Sequence, residues 1–214
     1  MSDRAGFHPQ ALAGRQTEVL RKIAPILGGQ SFYLAGGTAL ALQLGHRKSV
    51  DFDWFRHAEI TSPEEILGPL QSAGIVLDVR HASPGTVHGA IQGVTTSFFS
   101  YHYPLVDPLV VWSEFSCPIA SIPDIASMKL AALAQRGARK DFVDIYAICK
   151  THEQLASLLD RFQVKYGTRD IAHVLVALNY FEDAEREPMP AMIWKDDWGM
   201  MKSAIRAWVK EYAG

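Results

Sequence analysis

The sequence predicts an α+β protein, with an α/β half running to about residue 120 and a helical half over residues 121–214. Three observations carry this. Residues 32–55 read FYLAGGTALALQLGHRKSVDFDWF: a short apolar run, a glycine pair, a helix-like apolar segment, then an alternation of polar and apolar residues with period two. Residues 75–101 keep β-type patterning, with Gly89 and Gly93 at turn positions. From Ser121 onward the apolar residues recur at helical spacing.

The elements follow in order. Leu12, Val19, Leu20, Ile23, Ile26 and Leu27 predict an amphipathic helix over residues 8–27, stopped by Gly28 and Gly29. Residues 31–35 predict a short buried strand, Gly36 and Gly37 a turn, and residues 38–44 a short helix. Residues 49–55 predict a second strand, with Ser49, Asp51 and Asp53 on one face and Val50, Phe52 and Trp54 on the other. Thr61-Ser62-Pro63-Glu64-Glu65 opens a helix to Ala73: a hydroxyl cap, a proline in the first turn, and acids behind it. Strands are expected at 75–81, 86–91 and 94–101, and a short edge strand at 109–112, since Pro104 and Pro108 argue against a long one. Ser121-Ile122-Pro123-Asp124 starts a helix that runs to about Arg136, where Gly137 breaks it. Helices follow at 140–150, 153–166 and 168–180. After a loop marked by Pro188 and Pro190, Trp198, Met201, Ile205, Trp208 and Val209 form the apolar face of a last helix, 196–212.

Composition bounds the function. Hydrophobic residues at 48% and charged residues at 21% match a chain that buries a core. A net charge of −2 supplies no global basic field, so an RNA partner would need a local patch. Cys117 and Cys149 lack metal-ligand spacing and form no disulfide framework, which points to a reducing cytoplasm. The opening MSDRAGFHPQ has no hydrophobic signal core, and no apolar run is long enough to span a bilayer, so no membrane partner is expected.

Several constellations carry chemistry. Gly36-Gly37-Thr38 at a helix start lets backbone approach an anion closely, although alone it reads equally as a tight turn with Thr38 as cap. Ser49-x-Asp51-x-Asp53 is the stronger signal. Two carboxylates about 7 Å apart on one strand face suit a hard cation bridging nucleotide phosphates. The competing reading is a solvated edge-strand face, against which Val50, Phe52, Trp54 and Phe55 predict a strand packed on its other side. Arg47 and Lys48 either meet phosphates or form a polar turn, and His46 has no identifiable partner. Lys129 lies in the apolar helix IASMKLAALAQR on the same face as Arg136. It either snorkels to solvent or contacts a triphosphate. Asp141 and Asp144 share a helix face. They complement the helix dipole or hold Lys129, Arg136 or a substrate amine. Trp194, Trp198 and Trp208 read as packing residues rather than a base-stacking platform.

Two stretches, GGTALALQLGHRKSVDFDWF (36–55) and IPDIASMKLAALAQRGARKDFVDIY (122–146), resemble the nucleotidyltransferases of the AbiEii/AbiGii toxin type, within the DNA-polymerase-β-like superfamily. The resemblance implies a nucleotidyltransferase-like mixed β-sheet with flanking helices, followed by a C-terminal helical region that completes the active-site cleft. It implies transfer of a nucleoside monophosphate from an NTP to an acceptor with release of pyrophosphate. Asp51 and Asp53 would hold Mg²⁺ or Mn²⁺, and Gly36, Gly37 and Thr38 would lie along the triphosphate with Arg47 and Ser49 beside it. Lys129 would contact phosphate, and Asp141 and Asp144 would complete the catalytic set. A tRNA or other RNA acceptor, a cognate antitoxin and a toxin–antitoxin or phage-defence (abortive infection) setting are implied in the same way.

One departure matters. The superfamily carries a third carboxylate on a later strand, and the matching position here is Ser97. A hydroxyl replaces a carboxylate neither as base nor as charged metal ligand. Another acid, Asp78 or Asp141, would have to reach the site, or the substrate would have to supply the base. The alternatives are a nucleotide-binding relative without turnover and a scaffold that docks an antitoxin.

Overall fold

A computed structural model describes residues 6–214. Among these residues seven strands form one mixed sheet: β1 (Tyr33–Ala35), β2 (Phe52–Arg56), β3 (Asp78–Ser83), β4 (Thr86–Ile91), β5 (Val94–Ser100), β6 (Val110–Trp112) and β7 (Cys117–Ile119). Their spatial order is β3-β4-β5-β2-β1-β7-β6. β2 runs antiparallel to β1 and parallel to β5, while β7 lies parallel to β1. The helices are α1 (Gly14–Gly28), α2 (Gly36–Leu44), α3 (Glu64–Ser72), α4 (Ile122–Arg136), α5 (Arg139–Thr151), α6 (Leu155–Tyr166), α7 (Ala172–Asn179), α8 (Glu182–Glu185) and α9 (Trp198–Ala213). One continuous cluster of buried side chains takes Leu34, Phe52 and Phe98 from the sheet and Leu130, Phe142 and Ile205 from the helices beyond residue 120. No helix among the described residues is long and apolar enough to cross a membrane.

The period-two pattern orients the central strands. Phe52 and Trp54 are fully buried, whereas Asp53 and Phe55 turn to the other, partly open face. The strand begins at Phe52 rather than residue 49, and Val50 is 69% exposed instead of packed. Residues 49–51 are tied outside the ladder: Gln16 donates to the Ser49 carbonyl, and the Thr38 hydroxyl donates to the Asp51 carbonyl. Thr38 is therefore not a helix cap.

The strand expected at 75–81 is displaced to Asp78–Ser83. Ile75 closes the end of α3 through its N–H to the Leu70 carbonyl, and Leu77 is buried, so their apolar spacing records packing rather than pairing. Gly36 and Gly37 belong to the first turn of α2 instead of preceding it. The helix expected at 168–180 contracts to α7, and α8 and β7 carried no recognisable signal.

Ser121 caps α4 as its sequence signature predicts, accepting from the Asp124 N–H at 3.1 Å. Asp124 also holds the fully buried Lys165 ammonium at 2.7 Å and accepts from the backbone N–H groups of Val106 and Asp107. This buried pair staples the 104–107 loop to α4 and α6. The tryptophans pack as expected: Trp198 edge-on against Phe142 and Phe181, Trp208 stacked on Tyr146.

Candidate active site

The antiparallel pairing of β1 with β2 sets Asp53 opposite Ala35, the residue that leads into α2. The Asp53 carboxylate therefore lies against the first turn of that helix. Gly36 has φ +68°, and a Cβ there would come within 2.6 Å of Asp53 Oδ2, so both backbone and space demand glycine. A Cβ on Gly37 would meet Arg47 Nη2 at 2.5 Å and Ser49 Oγ at 3.3 Å. Helix N–H groups without intrahelical partners, an arginine, a serine and a carboxylate thus converge at one helix start.

They open into a cleft of about 500 Å³. Asp51 and Asp53 line it together with five basic side chains: Arg47, Lys48, Lys129, Arg136 and Lys140. Gly36, Gly37 and Ser49 line it too. Thr38, Asp141 and Asp144 do not; all three are buried behind its wall. Sequence reasoning gave no place to Lys140, to the stacked pair Phe55–Phe99 (4.9 Å between ring centroids) or to Pro190 and Ala191. The last two arrive because the Lys48 N–H bonds the Ala191 carbonyl at 2.8 Å, a contact across the whole chain that no local pattern announces. Phe55 and Phe99 were accessible to the period-two argument, since each lies two residues beyond a candidate site residue.

Behind the wall lies a buried polar network. Arg47 grips Asp144 with two parallel bonds, Nε to Oδ1 at 2.7 Å and Nη2 to Oδ2 at 2.9 Å. His46 Nε2 reaches the same carboxylate at 2.8 Å, which supplies the partner that the sequence did not reveal. Lys129 Nζ bridges Asp144 at 2.6 Å and Asp141 at 2.9 Å, and Arg136 clamps Asp141 through Nε and Nη2. The i, i+3 acids of α5 thus hold Lys129 and Arg136, one of the two roles their spacing allowed. Burial pushes the Lys129 ammonium toward neutrality, but the Asp144 and Asp141 charges more than offset this, and its pKa is raised. Burial likewise opposes the charge of Asp144, yet Arg47 and Lys129 hold its carboxyl well below the usual range. His46 is lowered chiefly by burial, so it meets Asp144 as a neutral hydrogen-bond partner rather than a cation.

Asp53 behaves oppositely. Burial raises its pKa, the Lys129 charge pulls it down, and the neighbouring Asp51 charge raises it again, leaving a net increase. A raised carboxyl contributes stability that is present below its unfolded pKa and lost as pH rises through the folded one. In a metal-free buffer at neutral pH, Asp53→Asn is therefore expected to raise the melting temperature, with the gain shrinking in acid. Calorimetric melts at two pH values check this, and a neutral or lowered melting temperature at pH 7 would contradict it.

Among the described residues, the acids that line the cleft are Asp51 and Asp53. Parallel pairing of β2 with β5 places Ser97 directly beside Asp53. Asp78 lies on the far edge strand β3, with β4 and β5 between it and β2, and Asp141 is engaged by Lys129 and Arg136. Among the described residues no group of three or more His, Cys, Asp or Glu side chains could hold a metal ion. Two carboxylates nonetheless fit Mg²⁺ or Mn²⁺, since Mg²⁺ commonly takes one or two carboxylates and completes its shell with water and substrate phosphates.

A family model for the nucleotidyl transferase AbiEii toxin of type IV toxin–antitoxin systems matches residues 18–104 and 96–211. The chain is 34% identical over 207 residues to aq_aa25, an uncharacterized protein of Aquifex aeolicus (strain VF5), covering 94% of this chain and 97% of that one. Among solved structures it resembles an H. pylori protein provisionally called a nucleotidyltransferase (TM-score 0.58, 21% identity, 94% and 95% of the two chains covered). It also resembles MenT4, a nucleotidyltransferase toxin of Mycobacterium tuberculosis H37Rv (TM-score 0.56, 13% identity, 91% and 82% covered). At these identities the structural likeness is one of fold.

Proposed function

Because the chain belongs to the AbiEii nucleotidyltransferase toxin family, we propose that its cleft transfers a nucleoside monophosphate from an NTP to an acceptor hydroxyl in a divalent-metal-dependent reaction, releasing pyrophosphate. The observation that carries this reading is the placement of Asp51 and Asp53 beside the glycine start of α2, inside a cleft lined by five basic side chains. Asp51 and Asp53 would hold Mg²⁺ or Mn²⁺, which when bound polarises the phosphates and offsets charge at the reacting phosphorus. The N–H groups of Gly36 and Gly37, with Ser49 and Arg47, face the triphosphate. Lys129 adds a cation fixed from behind by Asp141 and Asp144, so those two acids position a phosphate contact rather than touch substrate. Phe55 and Phe99 present an apolar wall suited to a base or ribose.

The rim cations Lys48, Arg136 and Lys140 form the local basic patch that an RNA acceptor, tRNA included, would need despite the overall charge of −2. We extend the family's toxin character to a toxin–antitoxin or phage-defence role with a cognate antitoxin, in the cytoplasm, where the free thiols Cys117 and Cys149 stay reduced.

Incubating the full chain with each labelled NTP, Mg²⁺ and total RNA is expected to label the RNA, and EDTA to abolish labelling. Incorporation that survives EDTA refutes the metal dependence. Ser97 in the third-acid position favours a second reading, a nucleotide binder without turnover. Calorimetric NTP binding with no label transferred to RNA or protein acceptors would select it.

A further inference from the structure

The sheet face that carries Asp53 continues outward as a row set by register: Ser97 beside Asp53, His88 beside Ser97, His81 beside His88. Ser97 Oγ and His88 Nδ1 are 2.9 Å apart. Phe99, two residues on from Ser97, lines the cleft and meets the His88 ring edge-on at 5.5 Å. The hydroxyl–imidazole pair therefore lies next to two residues that line the cleft, Asp53 and Phe99, while neither Ser97 nor His88 lines it itself.

A transferring nucleotide needs its acceptor hydroxyl to lose a proton as the new bond to the α-phosphorus forms. We propose that Ser97 and His88 together take that proton in place of a third carboxylate, an inference that rests on the nucleotidyl-transfer reading above. Ser97 Oγ accepts the proton of the acceptor hydroxyl while its own passes to His88 Nδ1. The acceptor oxygen bonds to the α-phosphorus, the bond to pyrophosphate breaks, and the proton leaves the resulting imidazolium for water, toward the exposed His81. No reactant beyond the NTP and the acceptor is consumed. The pair follows the logic by which a weakly basic hydroxyl is made competent by a neighbouring imidazole.

The test is steady-state label incorporation into total RNA by the full chain, with melting temperatures as the folding control and Asp51→Ala marking the site. Ser97→Ala and His88→Gln are each expected to lower kcat about a hundredfold while KM for the NTP stays within about twofold. The double variant should be no worse than either single one, because the two act as a unit. Ser97→Asp should keep activity and make it insensitive to His88→Gln, since a carboxylate then stands beside Asp53. Additive losses, a change in KM alone, or kcat within about twofold of wild type while Asp51→Ala is inactive would overturn the pair and leave nucleotidyl transfer standing. A wild type that incorporates no label, or that Asp51→Ala matches, overturns both.

Discussion

Asp144→Ala is expected to cost about 3–5 kcal/mol of folding stability, the range for removing one partner of a buried ion pair. The Asp144 side chain is fully buried and meets Arg47, Lys129 and His46 at 2.6–2.9 Å. Its removal leaves Arg47 and His46 without their buried carboxylate partner and Lys129 with Asp141 alone. Lys129→Met should cost less, because Asp144 keeps Arg47 and His46 while Asp141 keeps Arg136. The same network sets the acid limit of the fold. The lowered pKa values of Asp144 and Asp141 mean stability that is present above their unfolded values and lost as pH falls through the lower folded ones. His46, lowered from 6.5, contributes stability above that pH that drains away below it as the buried ring must charge. Urea melts across pH should therefore show wild type weakening from about pH 6.5 downward. A profile flat to pH 4, or an Asp144→Ala protein as stable as wild type, would contradict the network's role.

Asp51→Ala should produce the mirror image: little change in stability and a collapse of label transfer. Asp51 lines the cleft and takes part in neither the Arg47–Asp144 nor the Lys129–Asp141 pairing. Removing one of two carboxylates from a hard-cation site forfeits several kcal/mol of charge stabilisation, about a thousandfold in rate. Equal incorporation by wild type and Asp51→Ala would end the assignment. The two variants together separate what the cleft face does from what its buried backing does.

Much of this was readable along the chain. The helices of residues 121–166 announced themselves through Ser121, Pro123 and Gly137, because caps and breakers act within a few residues. The alternation from Phe52 to Arg56 was equally local, and it put Asp53 on the face opposite Phe52 and Trp54. Of the candidate residues, Gly36, Gly37, Arg47, Ser49, Asp51, Asp53 and Lys129 all line one cleft. Thr38, Asp141 and Asp144 lie behind it. The sequence could not distinguish the two groups, since an acid on a helix face looks the same whether it meets solvent or a buried lysine.

The sequence by itself determined an α+β chain, the cap and breaker of α4, and the alternation that turns Asp53 away from Phe52 and Trp54, all consequences of spacing over a few residues. Tertiary structure alone decided that His46 and Arg47 share one carboxylate nearly a hundred positions away, that Pro190 and Ala191 wall the cleft, and that Ser97 stands beside Asp53 with His88 behind it. Those pairings depend on strand register and helix docking, which are set by burial of the whole core and leave no mark in any short stretch of residues.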